Sequence, residues 1–254
     1  MLRLLDQVYR RLATGFALAF IFFGGGVLAV TVLPIAGWLP GAQRERSQRI
    51  IQAIFRFYLM MLQRLNLIRL QIDGHERLKA CRSKVIVANH PSLLDVVILM
   101  SLVHNAQCII KSELWNHRFL GALMRRAGYI RNDLTATALI GACQEALDRG
   151  NNIIVFPEGT RSRPGTPPRL LRGFANIATL TSADIQLVVI SCNPPMLMKG
   201  EPWWTIPERP SLFQVTVGHC IDSGAYRGNG HRSMASRRLT ETVQAYFTER
   251  LANV

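Results

Sequence analysis

A histidine and an aspartate stand five positions apart in Asn89-His90-Pro91-Ser92-Leu93-Leu94-Asp95, where a short apolar run meets a longer one. An imidazole with an ordinary pKa of about 6.5 takes up a proton near neutral pH, and a carboxylate at its other nitrogen fixes the tautomer and stabilises the imidazolium. Such a pair is a general base suited to a hydroxyl. Farther along, Phe156-Pro157-Glu158-Gly159-Thr160-Arg161-Ser162 is a polar, glycine-containing loop behind another short apolar run. Pro157 ends the strand, Gly159 permits close backbone approach, and Arg161 can grip a phosphate with two parallel hydrogen bonds. Arg163, Arg169 and Arg172 add positive potential nearby.

Geometry constrains the first pair. Five residues on a regular helix rotate by about 140°, so His90 and Asp95 cannot both be helical and face each other. They meet only if His90 precedes a helix whose first turn holds Asp95. Pro91 disfavours helical geometry at His90, and Ser92 is a good N-cap. Ser92-x-x-Asp95 is also a capping-box-like pattern, in which Asp95 satisfies backbone donors; capping and catalysis can share one geometry. Ser92 is a competing nucleophile, which would make a hydrolase, but no G-x-S-x-G elbow surrounds it.

From Lys84 onward, short apolar runs alternate with longer helical patterns. Strands are expected at 85–88, 108–111, 129–130, 153–156 and 187–191. Helices are expected at 93–103, 114–127, 135–149 and 173–181, with Asp133 as an N-cap and Gly150 as a stop. Residues 194–210 form a proline-rich excursion with Trp203 and Trp204, 213–217 alternates like a strand, and 232–251 reads as an amphipathic helix. Alternating strands and helices predict an α/β fold with a central, mostly parallel sheet flanked by helices. Ligands on such sheets bind beyond the carboxyl ends of the strands, which puts His90 and Glu158 at one cleft.

Residues 12–43 carry no charged side chain, and 12–33 is long enough to cross a bilayer as a helix. The run is too long for a signal h-region, so a membrane anchor is expected. Gly24-Gly25-Gly26 weakens it, and Pro34, Gly37 and Pro40 end it. Arginines flank it on both sides, so charge does not orient it, and both a spanning helix and one that dips into a leaflet stay open. Residues 50–70 read as a second helix, lying either in the membrane interface with Arg56 and Arg64 snorkelling or against the core. The expected organisation is residues 1–70 as N-terminal membrane-associated helices and 71–254 as the α/β domain.

The chain has 254 residues, 49% of them hydrophobic, and a net charge of +14. A hydrophobic, basic chain suits an anionic membrane surface or acidic molecules. No familiar nucleic-acid motif appears, so nucleic acid is not an expected partner. The five cysteines are odd in number, widely spaced and without a C-x-x-C pair, which argues against disulfides and against a zinc site. They are expected to be small buried hydrophobes in a reducing compartment.

The pair N-H-x-S-x-x-D and F-P-E-G-T-R-S resembles the glycerolipid acyltransferase family typified by 1-acyl-glycerol-3-phosphate acyltransferases, over roughly residues 78–221. The resemblance implies transfer of an acyl group from a thioester, on coenzyme A or acyl carrier protein, to a hydroxyl of a lysophospholipid or related lipid acceptor. It gives His90 the role of base and Asp95 that of orienting it. Glu158, Gly159, Thr160 and Arg161 would hold the acceptor's polar head. No metal or redox cofactor is implied, and the expected place is the cytoplasmic face of a bacterial inner membrane. The family's second motif usually ends in arginine; here Gly128-Tyr129-Ile130-Arg131-Asn132-Asp133-Leu134 ends in leucine, with Arg131 out of register as the substitute acceptor-binding candidate. The fourth motif's proline is missing from Gln186-Leu187-Val188-Val189-Ile190. G-Y-I-x-N-D with Lys199-Gly200-Glu201-Pro202-Trp203 resembles a bacterial branch associated with aryl-polyene biosynthetic clusters, which would favour a carrier-protein donor. The alternatives are a catalytically silent binder of lipid or carrier protein and a thioester hydrolase.

Overall fold

In the computed structural model, the described residues are 2–31, 43–117, 120–162, 166, 168–226 and 232–252. Of the sequence features above, Leu33, Pro34, Gly37, Pro40 and Arg163 lie outside them. Two helices lead: α1 (Leu2–Val30) and α2 (Gln43–Arg64). The sheet and its crossovers follow as β1 (Ile68–Asp73), α3 (His75–Ala80), β2 (Val85–Ala88), α4 (Asp95–Leu102), β3 (Ala106–Ile110), α5 (Ser112–Trp115), α6 (Leu120–Ala127) and β4 (Ile130–Arg131). The chain closes with α7 (Ala136–Asp148), β5 (Asn152–Val155), α8 (Gly173–Thr181), β6 (Ile185–Asn193), β7 (Ser211–Ile221) and α9 (Arg232–Ala252).

The seven strands run in the order β1-β7-β6-β2-β5-β3-β4. Every pairing is parallel except β6 with β7. Side chains alternate faces along a strand, so β2 sends Ile86 and Ala88 into one core and Val85 and Val87 into the other. The first core is closed by α1, α2, α4 and α6, the second by α7, α8 and α9. Burial on both faces explains why β2 reads as a continuous apolar run rather than an alternating one. The carboxyl ends of β2, β5, β3, β4 and β6 share one edge.

Some boundaries differ from the sequence reading, each for a local reason. The second helix stops at Arg64, because Asn66 adopts φ 52 and Leu67 N–H closes back on Leu62 O at 3.0 Å. The apolar run after this turn is strand β1, not more helix. The α7 cap is Thr135, whose Oγ1 accepts from Ala138 N, because Asp133 is bonded to Arg131. Helix 114–127 is split into α5 and α6. Three cysteines are buried, while Cys220 is exposed.

Helix α1 begins earlier than expected and runs through Gly24-Gly25-Gly26. Its first half is fastened to the domain. Arg10 is buried and donates to Asn66 O at 3.1 Å and to Asp6 at 2.8 Å, Tyr9 reaches Leu65 O, and Ala13 and Ala17 join the first core. The opposite face leaves Leu4, Leu12, Phe16 and Phe23 exposed. Among the described residues no helix is long and apolar enough to cross a membrane. This corrects the transmembrane expectation: α1 is a helix docked on a folded domain by one face.

Candidate active site

The site grows from the end of β2. Asn89 continues that strand with its side chain: its amide donates to Ile190 O at 2.8 Å and accepts from Ile190 N at 2.7 Å. This buried bridge ties the β2 exit to β6 and sets where His90 emerges. Pro91 ends the extended path, residues 92–94 turn, and α4 starts at Asp95 rather than at Leu93, with Leu94 rather than Ser92 in the cap position. His90 therefore precedes the helix that Asp95 opens, as the spacing requires.

His90 Nδ1 lies 2.9 Å from Asp95 Oδ2, and the same oxygen accepts Ser92 N–H at 2.6 Å. One carboxylate oxygen thus both caps the turn and orients the imidazole. The reciprocal half of the box is shifted by one residue: Ser92 Oγ accepts Leu94 N–H at 3.3 Å, while its hydroxyl donates to Met196 O at 2.8 Å. That bond and its complete burial remove Ser92 as a nucleophile. With Nδ1–H on Asp95, the lone pair of His90 is on Nε2. The imidazole stacks on Phe156 with ring centroids 4.3 Å apart.

Asp95 has no solvent exposure, and its Oδ1 has no hydrogen-bond partner. Burial pushes its carboxyl from the ordinary 3.8 up to about 6, against the downward pull of His90 and Ser92 N–H, and Glu158 pushes it further up.

The second motif is laced to the first. Glu158 Oε1 accepts His90 N–H at 3.1 Å and the Ser162 hydroxyl at 2.8 Å, while Ser162 N–H returns to His90 O at 2.7 Å. Gly159 sits at φ 67, in the left-handed region, and a Cβ there would approach Leu171 to 3.0 Å. Thr160 is exposed. Arg161 Nη1 donates to Leu197 O at 2.8 Å and Met198 O at 3.1 Å, leaving the Nε and Nη2 donors for a ligand. The structure thus gathers His90, Asp95, Glu158, Gly159 and Arg161.

Arg131 stands apart. It ends β4, three strands along the sheet from β2, about 14 Å at the usual strand spacing of about 4.8 Å. Its guanidinium is gripped by Asp133 at 2.8 and 2.6 Å and lies over Trp115. Leu134 packs against the second core.

A groove of about 590 Å³ opens beside this cluster, lined by Gly15, Leu18, Ala19, Phe22 and Phe23 of α1 and by Leu93, Arg161, Leu197, Met198, Glu201 and Trp203. Gly15 lets the Trp203 indole approach, since a Cβ there would lie 3.0 Å from two ring carbons. This wall is not legible in the sequence. Its only signals were a glycine in the charge-free stretch and a tryptophan in the proline-rich excursion, and nothing in the pattern joins them.

A folded-state pKa above the unfolded one means that the ionised Asp95 carboxylate costs stability at pH 7. That cost falls away as pH drops through about 6 toward about 4. Asp95→Asn should therefore unfold at a temperature equal to or above that of the parent protein at pH 7, with the gap closing toward acid. Thermal unfolding across that range checks it; a variant several degrees less stable at pH 7 would show the carboxylate to be a structural asset instead.

A family model described as Acyltransferase matches residues 69–193, from β1 to the end of β6, and so includes His90, Asp95 and the 156–162 loop. The 1-acyl-sn-glycerol-3-phosphate acyltransferase of Pseudomonas aeruginosa is 25% identical over 239 residues, covering 91% of this chain and 86% of that protein. The enzyme of the same name from Helicobacter pylori is 39% identical over 88 residues, covering 33% of this chain and 37% of that protein. The crystal structure of the 1-acyl-sn-glycerophosphate (LPA) acyltransferase PlsC from Thermotoga maritima shares the fold, with TM-score 0.70, 22% identity and 97% coverage of both chains. With these relatives beside its two motifs, the chain belongs to the glycerolipid acyltransferase family and is an O-acyltransferase.

Proposed function

We propose that this protein transfers an acyl group from a thioester, carried by coenzyme A or acyl carrier protein, to the free hydroxyl of 1-acyl-glycerol-3-phosphate or a related lysophospholipid. The observation that carries the reading is the His90 Nδ1···Asp95 Oδ2 contact of 2.9 Å, beside an apolar groove that Leu93 and Arg161 line. The acceptor hydroxyl gives its proton to His90 Nε2 as its oxygen attacks the thioester carbonyl. Asp95 holds the imidazole in the right tautomer and stabilises the imidazolium. The tetrahedral intermediate collapses with loss of thiolate, which takes the proton back from His90. The nucleophile is the substrate's own hydroxyl, which agrees with the engagement of Ser92 elsewhere. Arg161 offers Nε and Nη2 as a fork for the phosphate, and the α1 wall suits an acyl chain.

The exposed face of α1, with Leu4, Leu12, Phe16 and Phe23, extends the apolar wall to the outside of the molecule. Together with the +14 charge it suits a helix lying in the interface of an anionic bilayer, such as the cytoplasmic face of a bacterial inner membrane, so that lipid enters the groove sideways.

Incubation with a labelled acyl thioester, with and without lysolipid, tests the activity. Acceptor-dependent label in diacyl lipid is the expected result; free acid alone would make the protein a hydrolase, and no turnover would make it a binder. Arg161→Ala should raise the acceptor's KM about tenfold or more, from loss of hydrogen bonds to a charged group, and the donor's much less; the reverse pattern would remove the phosphate role. Replacing Phe16 and Phe23 by Ser should release the protein from anionic vesicles in a flotation assay, whereas undiminished flotation would move the membrane contact elsewhere.

A further inference from the structure

The groove beside His90 carries one charge of each sign. Among the described residues, Arg161 and Glu201 are its only ionisable lining residues, and the rest of that wall is apolar. The two do not neutralise each other, for neither belongs to any ion pair among the described residues. Arg161 is held by two backbone carbonyls rather than by a carboxylate. Glu201 is exposed at the groove, two residues before Trp203, whose indole packs against Gly15 of α1.

A phosphate monoester with nearly two negative charges meets attraction from Arg161 and repulsion from Glu201 in such a groove. A head with a phosphodiester and an amine meets attraction from both, because like charges close together are disfavoured and unlike ones favoured. We propose that Glu201 is a specificity-determining residue that selects acceptors whose head carries an amine beside the phosphate, a zwitterionic lysophospholipid, over the plain phosphate monoester. The proposal rests on the acyl-transfer reading above. In the bound state the acyl chain lies along Leu18 and Phe22, the phosphate on Arg161 and the ammonium toward Glu201.

The test compares 1-acyl-glycerophosphoethanolamine with 1-acyl-glycerol-3-phosphate in mixed micelles, with long-chain acyl thioesters of coenzyme A and of acyl carrier protein as donors. The quantity is the ratio of kcat/KM for the amine-bearing acceptor to that for the phosphate monoester. Glu201→Gln should lower this ratio about threefold or more, the size of a partly exposed charge pair, while Glu201→Asp, which keeps the charge, should preserve it. An unchanged ratio in Glu201→Gln, with both acceptors still used, overturns this proposal alone. Transfer to neither acceptor by the parent protein overturns the acyl-transfer reading and this proposal with it.

Discussion

The site depends on a carboxylate kept out of water. Asp95 is fully buried, yet its oxygen must be anionic to hold His90 Nδ1–H. A buried charge is costly unless donors surround it, and here one oxygen receives both the imidazole and Ser92 N–H, while the other receives none. The fold tolerates an under-satisfied anion at this one place. In return the imidazole has one available tautomer and one orientation. The carboxylate is therefore better understood as a functional strain than as a stabilising contact.

The surrounding loops are braced so that this arrangement holds. Asn89 locks the β2 exit to Ile190 of β6, Glu158 and Ser162 lock the β5 loop to the backbone of His90, and Arg161 locks that loop to the carbonyls that follow β6. Three separate strand ends thus form one rigid rim. On one side of the rim lies the His90–Asp95 pair; on the other lies the apolar wall supplied by α1. Arg10 and Tyr9 on the α2–β1 turn, with Ala13 and Ala17 in the first core, hold α1 where it lines the groove beside Arg161. The N-terminal helix is accordingly one wall of the groove as well as a candidate membrane contact.

Much of this was legible from residue order. The alternation of apolar runs placed the parallel strands, and the Pro91 constraint put His90 ahead of its helix. What failed to show has physical causes. Strand β1 was hidden because its apolar residues continue those of α2, and the break is a left-handed Asn66 with no glycine or proline to mark it. Asp133 looked like a cap because sequence does not reveal that Arg131 claims it. The start of α1 was misjudged because Arg3, Asp6, Arg10 and Arg11 break the apolar pattern there, whereas Tyr9 and Arg10 are held by tertiary contacts. The groove was invisible because Gly15 and Trp203 meet only through the fold. Glu158 was assigned to the ligand by resemblance; sequence did not show that its Oε1 also braces His90 N–H and Ser162.

The central claim is that His90 removes the acceptor's proton while Asp95 orients it. The most direct measurement is the acyl-transfer rate of purified His90→Ala on vesicles holding the lysolipid, with vesicle binding followed on the same sample. General-base catalysis of this kind contributes about a hundred- to ten-thousandfold, so the account predicts a loss of that order in kcat with vesicle binding unchanged. Full transfer activity in His90→Ala would contradict it.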